Sequence, residues 1–244
     1  MPRDILEIPP PPADKRISYG QLPLHFGDLR LPSGSGPHPL LIFIHGGFWR
    51  ARYNLDYAGH LSAAVTAAGV ATWNLEYRRA GDVGGGWPGT CEDVLRGVLH
   101  VRQLATTYPL DLNRIVVAGH SAGGHLALWV AAQHALPLRA AISLGGVADL
   151  QRAYDLGIGS HAVAEFLGGP PFPEVAPLDL LPFATPQVLI HGTADDVVPI
   201  EVAESFAQAS SNARLVRLDG ADHFDLVDPR SSFFPDVLRQ MVEQ

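Results

Sequence analysis

Gly119-His120-Ser121-Ala122-Gly123 places a serine between two glycines at its second neighbours, after the apolar run 115–118 and before the small-residue pattern 124–132. At such a strand-to-helix turn a serine can act as a nucleophile: the tight turn strains the backbone and lifts the hydroxyl clear of the sheet. Bulky side chains at 119 and 123 would collide as strand and helix close together. A serine hydroxyl is a weak nucleophile at its free pKa, so the chemistry also needs a base in hydrogen-bond reach and a third group to orient that base. His223, the only histidine after residue 191, is the candidate base. Asp195 is the candidate orienting carboxylate, preferred to its neighbour Asp196 because it ends the turn Gly192-Thr193-Ala194-Asp195. Asp222 lies beside His223 and is weighed with them.

Attack on a carbonyl builds an oxyanion, which backbone N–H groups aimed at one point can stabilise by several kcal/mol. The glycines of His45-Gly46-Gly47-Phe48 allow close approach of the backbone, and Ala122 begins a helix whose positive dipole end faces the serine. The amides of Gly47, Phe48 and Ala122 are therefore the expected oxyanion hole, with Gly46 shaping the turn. Trp49 and Trp87, with Phe48, could wall a substrate pocket; membership of the core is an equal reading for such aromatics.

Other reactive side chains fit structural roles better. His45, His120 and His191 each precede a glycine or the serine at a strand end, where an imidazole braces a turn by bonding the backbone. His120 and His125 lack the His-Glu-x-x-His spacing and a nearby carboxylate, so no metal site is expected, and the chemistry requires no cofactor. Cys91 sits at a predicted helix start, which favours a thiolate, but no Cys-His signature surrounds it, and it reads as an inert, partly buried thiol. The glycine-rich stretch 81–89 lacks the Gly-Lys-Ser/Thr ending of a phosphate cradle and reads as a mobile loop carrying Trp87, or equally as a plain solvent loop.

These groups need a frame. The runs 40–44, 70–75, 115–118, 140–144 and 188–190 are apolar on both alternating faces, as strands covered by helices on both sides must be. Between them Leu61, Ala64, Val65 and Ala68, and later Val94, Val98, Val101 and Ala105, recur at helical spacing. The alternation predicts an α/β fold with a doubly wound, mostly parallel sheet. Residues 124–132 have almost no polar face and predict a helix buried all round. A closing strand over 214–218, a final amphipathic helix bearing Phe234, Val237, Leu238 and Met241, and an N-terminal hairpin or meander over 18–31 complete the frame. The proline-rich stretch of about 148–186, with a helical fragment at 162–167, is long for a connection and predicts a small cap insertion within a single domain.

Each candidate group follows a predicted strand end. Open α/β sheets gather ligands beyond the carboxyl ends of their strands, and four ends here supply a glycine turn, a serine, a carboxylate and a histidine.

At 244 residues and 47% hydrophobic composition the chain can build one well-buried core. Its net charge of −8 comes with no Lys/Arg cluster to follow a phosphate backbone, which argues against nucleic acid. No segment has the apolar length of a signal peptide or membrane span, and a single cysteine suits a reducing compartment. A cytoplasmic protein acting on a small molecule is expected, with no membrane partner and an oligomeric state left open.

Together these elements resemble the α/β-hydrolase superfamily from Leu40 to the last helix, and the order Ser121, Asp195, His223 is that of the superfamily. His45-Gly-Gly-Phe-Trp49 with the elbow Gly119-His-Ser-Ala-Gly-Gly124 is similar to the arylformamidase (kynurenine formamidase) and small carboxylesterase branch. Hormone-sensitive-lipase-type esterases usually carry a third glycine where this chain has Phe48. The resemblance implies acyl transfer by Ser121, first on small short-acyl esters, alternatively on an arylformamide. A silent binding protein of the same fold would normally have lost one catalytic position, and all three are present. A peptidase is disfavoured, because no large second domain is available to restrict access.

Overall fold

The computed structural model describes residues 2–244. Two short strands, β1 (Lys15–Ser18) and β2 (Phe26–Arg30), pair as an N-terminal hairpin whose first strand begins ahead of the range 18–31 read from the sequence. The apolar runs then become β3 (His38–Ile44), β4 (Ala71–Leu75), β5 (Leu110–His120), β6 (Leu138–Leu144), β7 (Gln187–Gly192) and β8 (Ala213–Leu218). They assemble into one eight-stranded sheet in the order β1-β2-β4-β3-β5-β6-β7-β8. The hairpin joins antiparallel through β2 and β4, and every later pairing is parallel. The strand order reverses beside β3, where an α/β sheet opens a crevice at its carboxyl edge.

Register aligns the strand ends that carry the candidate residues. Ile44 lies opposite Gly119, Leu144 opposite both His120 and Ile190, and Gly192 opposite Leu218. The segments that follow, with His45, Ser121, Asp195 and His223, therefore leave the sheet along one edge.

Helices cover both faces. α1 (Ala58–Ala67) and α8 (Phe234–Val242) pack on each other and bury Leu61, Val65, Val237 and Met241 in one apolar cluster with Leu41 and Phe43 of β3. On the other face α2 (Gly89–Leu99), α4 (Ala122–Ala132) and α7 (Glu201–Ala209) bury Val94, Leu126 and Val202 in one apolar cluster with Leu40, Ile42, Ile44 and Leu189 of the sheet, α7 lying over β7 and β8. Each such leucine or valine is essentially solvent-free, and complete burial stabilises by about 1.5–3 kcal/mol per side chain. The face of Val94, Val98 and Val101 continues across His100 into the short α3 (Val101–Leu104), because His100 keeps helical angles.

The stretch between β6 and β7 holds α5 (Leu150–Asp155) and α6 (Ile158–Leu167). Asp149 caps α5 by accepting the Arg152 amide at 3.0 Å. Residues 159–161 are left-handed (φ 60°, 56° and 62°), so right-handed helix begins at Ala162, where the sequence places the helical fragment. The irregular chain after α6 is tied to α4. His125 donates to the Val175 carbonyl at 2.9 Å, and Trp129 to that of Glu174 at 3.0 Å. α4 is thus buried all round with its polar atoms largely engaged, although His125 Nδ1 has no partner among the described residues.

Residues 81–89 do not form the free loop that their glycines suggest. Asp82 accepts the Arg79 amide, Gly85 donates to the Asp82 carbonyl, Gly86 donates to Thr90 Oγ1, and Trp87 donates to the Phe166 carbonyl. A Cβ at 85 would lie 1.9 Å from the Arg79 carbonyl oxygen, so the glycine serves close packing of chain on chain. No helix among the described residues is long and apolar enough to cross a membrane.

Candidate active site

Ser121 joins β5 to α4 with φ 56° and ψ −121°, a conformation costly for a non-glycine residue. The two flanking glycines have different reasons. A Cβ at 119 would lie 2.1 Å from the Gly123 carbonyl oxygen, across the turn itself, whereas a Cβ at 123 would lie 2.0 Å from the carbonyl oxygen of Ile44 at the end of β3. The Ser121 amide donates to the Leu144 carbonyl at 2.9 Å, and the Ser121 carbonyl accepts from Gly124 and Val147 at 2.9 and 3.2 Å. The backbone holds the strain, which leaves the side chain at the cleft.

His223 Nδ1 meets Asp195 Oδ2 at 2.7 Å, beyond the ends of β8 and β7. The other carboxylate oxygen accepts the amides of Val197 and Val198 at 2.9 and 2.8 Å. His191 adds its Nε2 at 3.4 Å while bonding the Val198 carbonyl at 2.8 Å. Burial acts to raise the Asp195 pKa, but the hydrogen bonds from His191 and His223, the charge of His223 and the Val198 amide prevail, so the carboxyl is held well below its ordinary range. Asp195, not Asp196, is therefore the carboxylate on His223. Asp222 is engaged locally, accepting the amides of Phe224 and Asp225 at 2.9 and 3.0 Å. Ser121 and His223 line one cleft, and no hydrogen bond joins them among the described residues.

The turn after β3 carries three successive positive φ angles, at Gly47 (114°), Phe48 (56°) and Trp49 (54°). Among the described residues the amides of Gly47, Phe48 and Ala122 donate to no protein acceptor. The Gly46 amide is used, donating to the Tyr57 hydroxyl at 2.6 Å. That hydroxyl meets His120 Nδ1 at 2.9 Å, and His120 Nε2 donates to the His223 carbonyl at 3.0 Å. Because a carbonyl can only accept, His120 carries its proton on Nε2 and Tyr57 donates to Nδ1. Burial, reinforced by the charge of His223, lowers the His120 pKa well below its ordinary value and keeps the ring neutral.

His45 braces the turn from below, with Nδ1 on the Gly46 carbonyl at 2.8 Å and Nε2 on Glu76 at 3.0 Å. Burial acts to raise the Glu76 pKa, and neighbouring His45 and Arg79 reverse this, leaving the carboxyl below its ordinary range. Tyr77 stacks on His45 at 4.4 Å and donates to its carbonyl at 2.6 Å.

The cleft is a cavity of about 230 Å³ whose lining includes Gly47, Phe48, Ser121, Val197, His223 and Phe224. Trp49 and Trp87 are not part of its wall. The positive φ at 49 turns that indole into the core, 1% exposed and stacked on Phe166 at 4.9 Å. Trp87 packs edge-on against Trp129 and Phe172, at 6.3 and 5.5 Å. Tyr53, Tyr57 and Leu6 take up wall positions instead. None of these three belongs to a glycine motif or follows a strand end, so no local signal marks them, and only the fold brings residue 6 to residue 121. Cys91 is more deeply buried than expected, at 1% exposure, and burial, aided by Glu92, pushes its thiol far up. Among the described residues no group of three or more His, Cys, Asp or Glu is placed to hold a metal ion.

A family model described as the prolyl oligopeptidase family matches residues 88–226, and a second, BD-FAE, matches residues 28–143. The first includes the elbow, Asp195 and His223; the second includes the turn after β3 and the elbow. Over 247 residues the chain is 29% identical to Esterase LipC of Mycobacterium tuberculosis, covering 88% of this chain and 60% of that protein. It is 29% identical over 142 residues to kynurenine formamidase of Danio rerio, covering 55% of this chain and 46% of that one. The chain thus spans about 60% or less of the length of these curated relatives. Its fold resembles that of Thermogutta terrifontis esterase 2, with a TM-score of 0.76, 23% identity, and coverage of 94% of this chain and 92% of that one.

Proposed function

The chain belongs to the prolyl oligopeptidase family, and we propose that within it this protein is a serine carboxylesterase for small, short-acyl esters. The observation that carries the reading is the junction of strained Ser121 with a cleft in which His223 is already paired to Asp195 at 2.7 Å. In this reading Ser121 Oγ attacks the ester carbonyl as His223 Nε2 takes the hydroxyl proton, and Asp195 holds the imidazole in the correct tautomer and steadies its charge. The unengaged amides of Gly47, Phe48 and Ala122 receive the oxyanion. The alcohol departs with the proton from His223, and a water activated by the same ring releases the acid and restores Ser121. None of these steps calls on a cofactor.

Esters are favoured over peptides because the cleft, at about 230 Å³ and largely apolar in lining, suits a small acyl group. The similarity to Esterase LipC points the same way. A second reading, hydrolysis of an arylformamide, draws on the similarity to kynurenine formamidase and on the shared need for a small acyl site. The residues 148–186 are read as a small cap over one end of the sheet within a single domain.

The purified protein should hydrolyse p-nitrophenyl acetate and butyrate, with Ser121→Ala and His223→Gln reducing kcat by about 10³-fold or more. Parallel assay of N-formylkynurenine decides between the two readings by the ratio of kcat/KM. Turnover that survives in Ser121→Ala would remove the serine mechanism, and an optimum at ten or more acyl carbons would remove the short-acyl assignment.

A further inference from the structure

Residues 4–14 are fastened along their length to the folded body, and Leu6 among them lines the cleft. Ile5 is buried at 1% exposure, His60 bonds the Ile8 carbonyl at 3.0 Å, Arg30 donates to the Pro11 carbonyl at 2.7 Å, and Asp14 accepts the Leu31 amide at 2.7 Å. Asp4 pairs with Arg230 at 2.6 Å, seven residues beyond His223. This fixes the adjacent Leu6, 42% exposed, with one side in solvent and the other in the wall of the catalytic cavity.

A second cavity of about 380 Å³ shares Leu6, Tyr53 and Tyr57 with the lining of the first. Its remaining lining is polar, from Arg52, Asn54 and Asp56. Of the three shared residues, the two tyrosines belong to the folded body. Tyr57 is committed to Gly46 and His120, and Tyr53 packs on Phe48 at 6.5 Å. Leu6 is the removable part of the partition.

Resting on the esterase reading, we propose that Leu6 is a specificity-determining residue that closes the outer end of the catalytic cavity and limits the length of ester it accepts. A leucine there excludes atoms that would continue into the polar cavity, so long substrates are refused by contact with its methyl groups. Shortening it joins the two spaces, and enlarging it shortens the inner one.

The test measures kcat/KM over p-nitrophenyl esters from acetyl to dodecanoyl, and over acetate esters of alcohols of increasing length, for wild type, Leu6→Ala and Leu6→Trp. Both substrate series are needed because either end of the ester could face Leu6. The half-exposed position tolerates both changes, and equal thermal midpoints establish that the variants are folded. In one of the two series Leu6→Ala should raise the preference for long over short members by about tenfold or more, and Leu6→Trp should lower it by a similar factor. Profiles of both variants within about twofold of wild type in both series would overturn the inference while leaving the esterase reading intact. Wild-type protein with no Ser121-dependent ester turnover would overturn the reading itself and the inference with it.

Discussion

His120 reaches the main-chain carbonyl of His223 at 3.0 Å, with the two rings 4.4 Å apart. Its other nitrogen accepts a hydrogen bond from the Tyr57 hydroxyl, and Tyr57 in turn accepts from the Gly46 amide, so one continuous chain of bonds joins the turn after β3 to the candidate base. The residue before Ser121 thereby fixes two parts of the site that come from strands far apart in sequence. Buried polar chains of this kind are strong when complete and costly when broken.

Tyr57→Phe and His120→Ala should therefore act as positioning variants. Tyr57→Phe strands the Gly46 amide and His120 Nδ1, and His120→Ala strands the His223 carbonyl; each unpaired buried group costs about 1–3 kcal/mol. The expected result is a kcat lowered about tenfold or more with KM changed little, in protein that still unfolds cooperatively. Steady-state kinetics beside guanidinium unfolding checks this, and wild-type kcat in both variants would remove the positioning role.

The carboxyl edge of the sheet was legible because its signals are local. Apolar runs mark the strands, and a glycine turn, the elbow, Gly-x-x-Asp and the last histidine each follow one. The sequence also allows the bracing roles of His45, His120 and His191, since an imidazole at a strand end has backbone groups within reach. The cleft wall was not legible. Trp49 follows the glycine turn and looks available to substrate, but its backbone sign reverses the side chain into the core, and no spacing rule reports that sign. Leu6 and Tyr53 are ordinary residues placed by tertiary packing alone. The glycines of 81–89 signal mobility only where nothing packs on them, and here the chain does.

Trp49 provides a direct contrast between wall and core. Stacked on Phe166 and edge-on to His125 at 5.5 Å, it packs against the segment between β6 and β7. Trp49→Ala should destabilise by about 3–5 kcal/mol through the cavity it leaves. Trp49→Phe, which keeps a ring for stacking, should cost less and leave KM near wild type. Chemical denaturation and ester kinetics read the two effects separately, and a raised KM at unchanged stability would return Trp49 to the substrate site.

Acid should loosen the fold before it discharges Asp195. His125 is fully buried, accompanied by Trp49 and Phe166, and burial lowers its pKa to about 4 although its bond to the Val175 carbonyl acts the other way. Its folded value is thus below the ordinary histidine value near 6.5, so between these limits the unfolded chain binds a proton that the folded chain refuses. Stability is full above pH 6.5 and falls as the pH drops toward 4, by about 3 kcal/mol from this residue. His120, lowered for the same reason, adds loss in the same direction. Asp195 contributes in a lower window, because its folded value is depressed below the ordinary carboxylate range, and its stabilisation persists above pH 4 and fades only below it. Guanidinium unfolding at pH 7.5, 5.5 and 4.5 should show the decline, and His125→Gln, which retains an N–H donor without titrating, should make it shallower, leaving the part due to His120. An unchanged slope in that variant would show that His125 is not the group responsible.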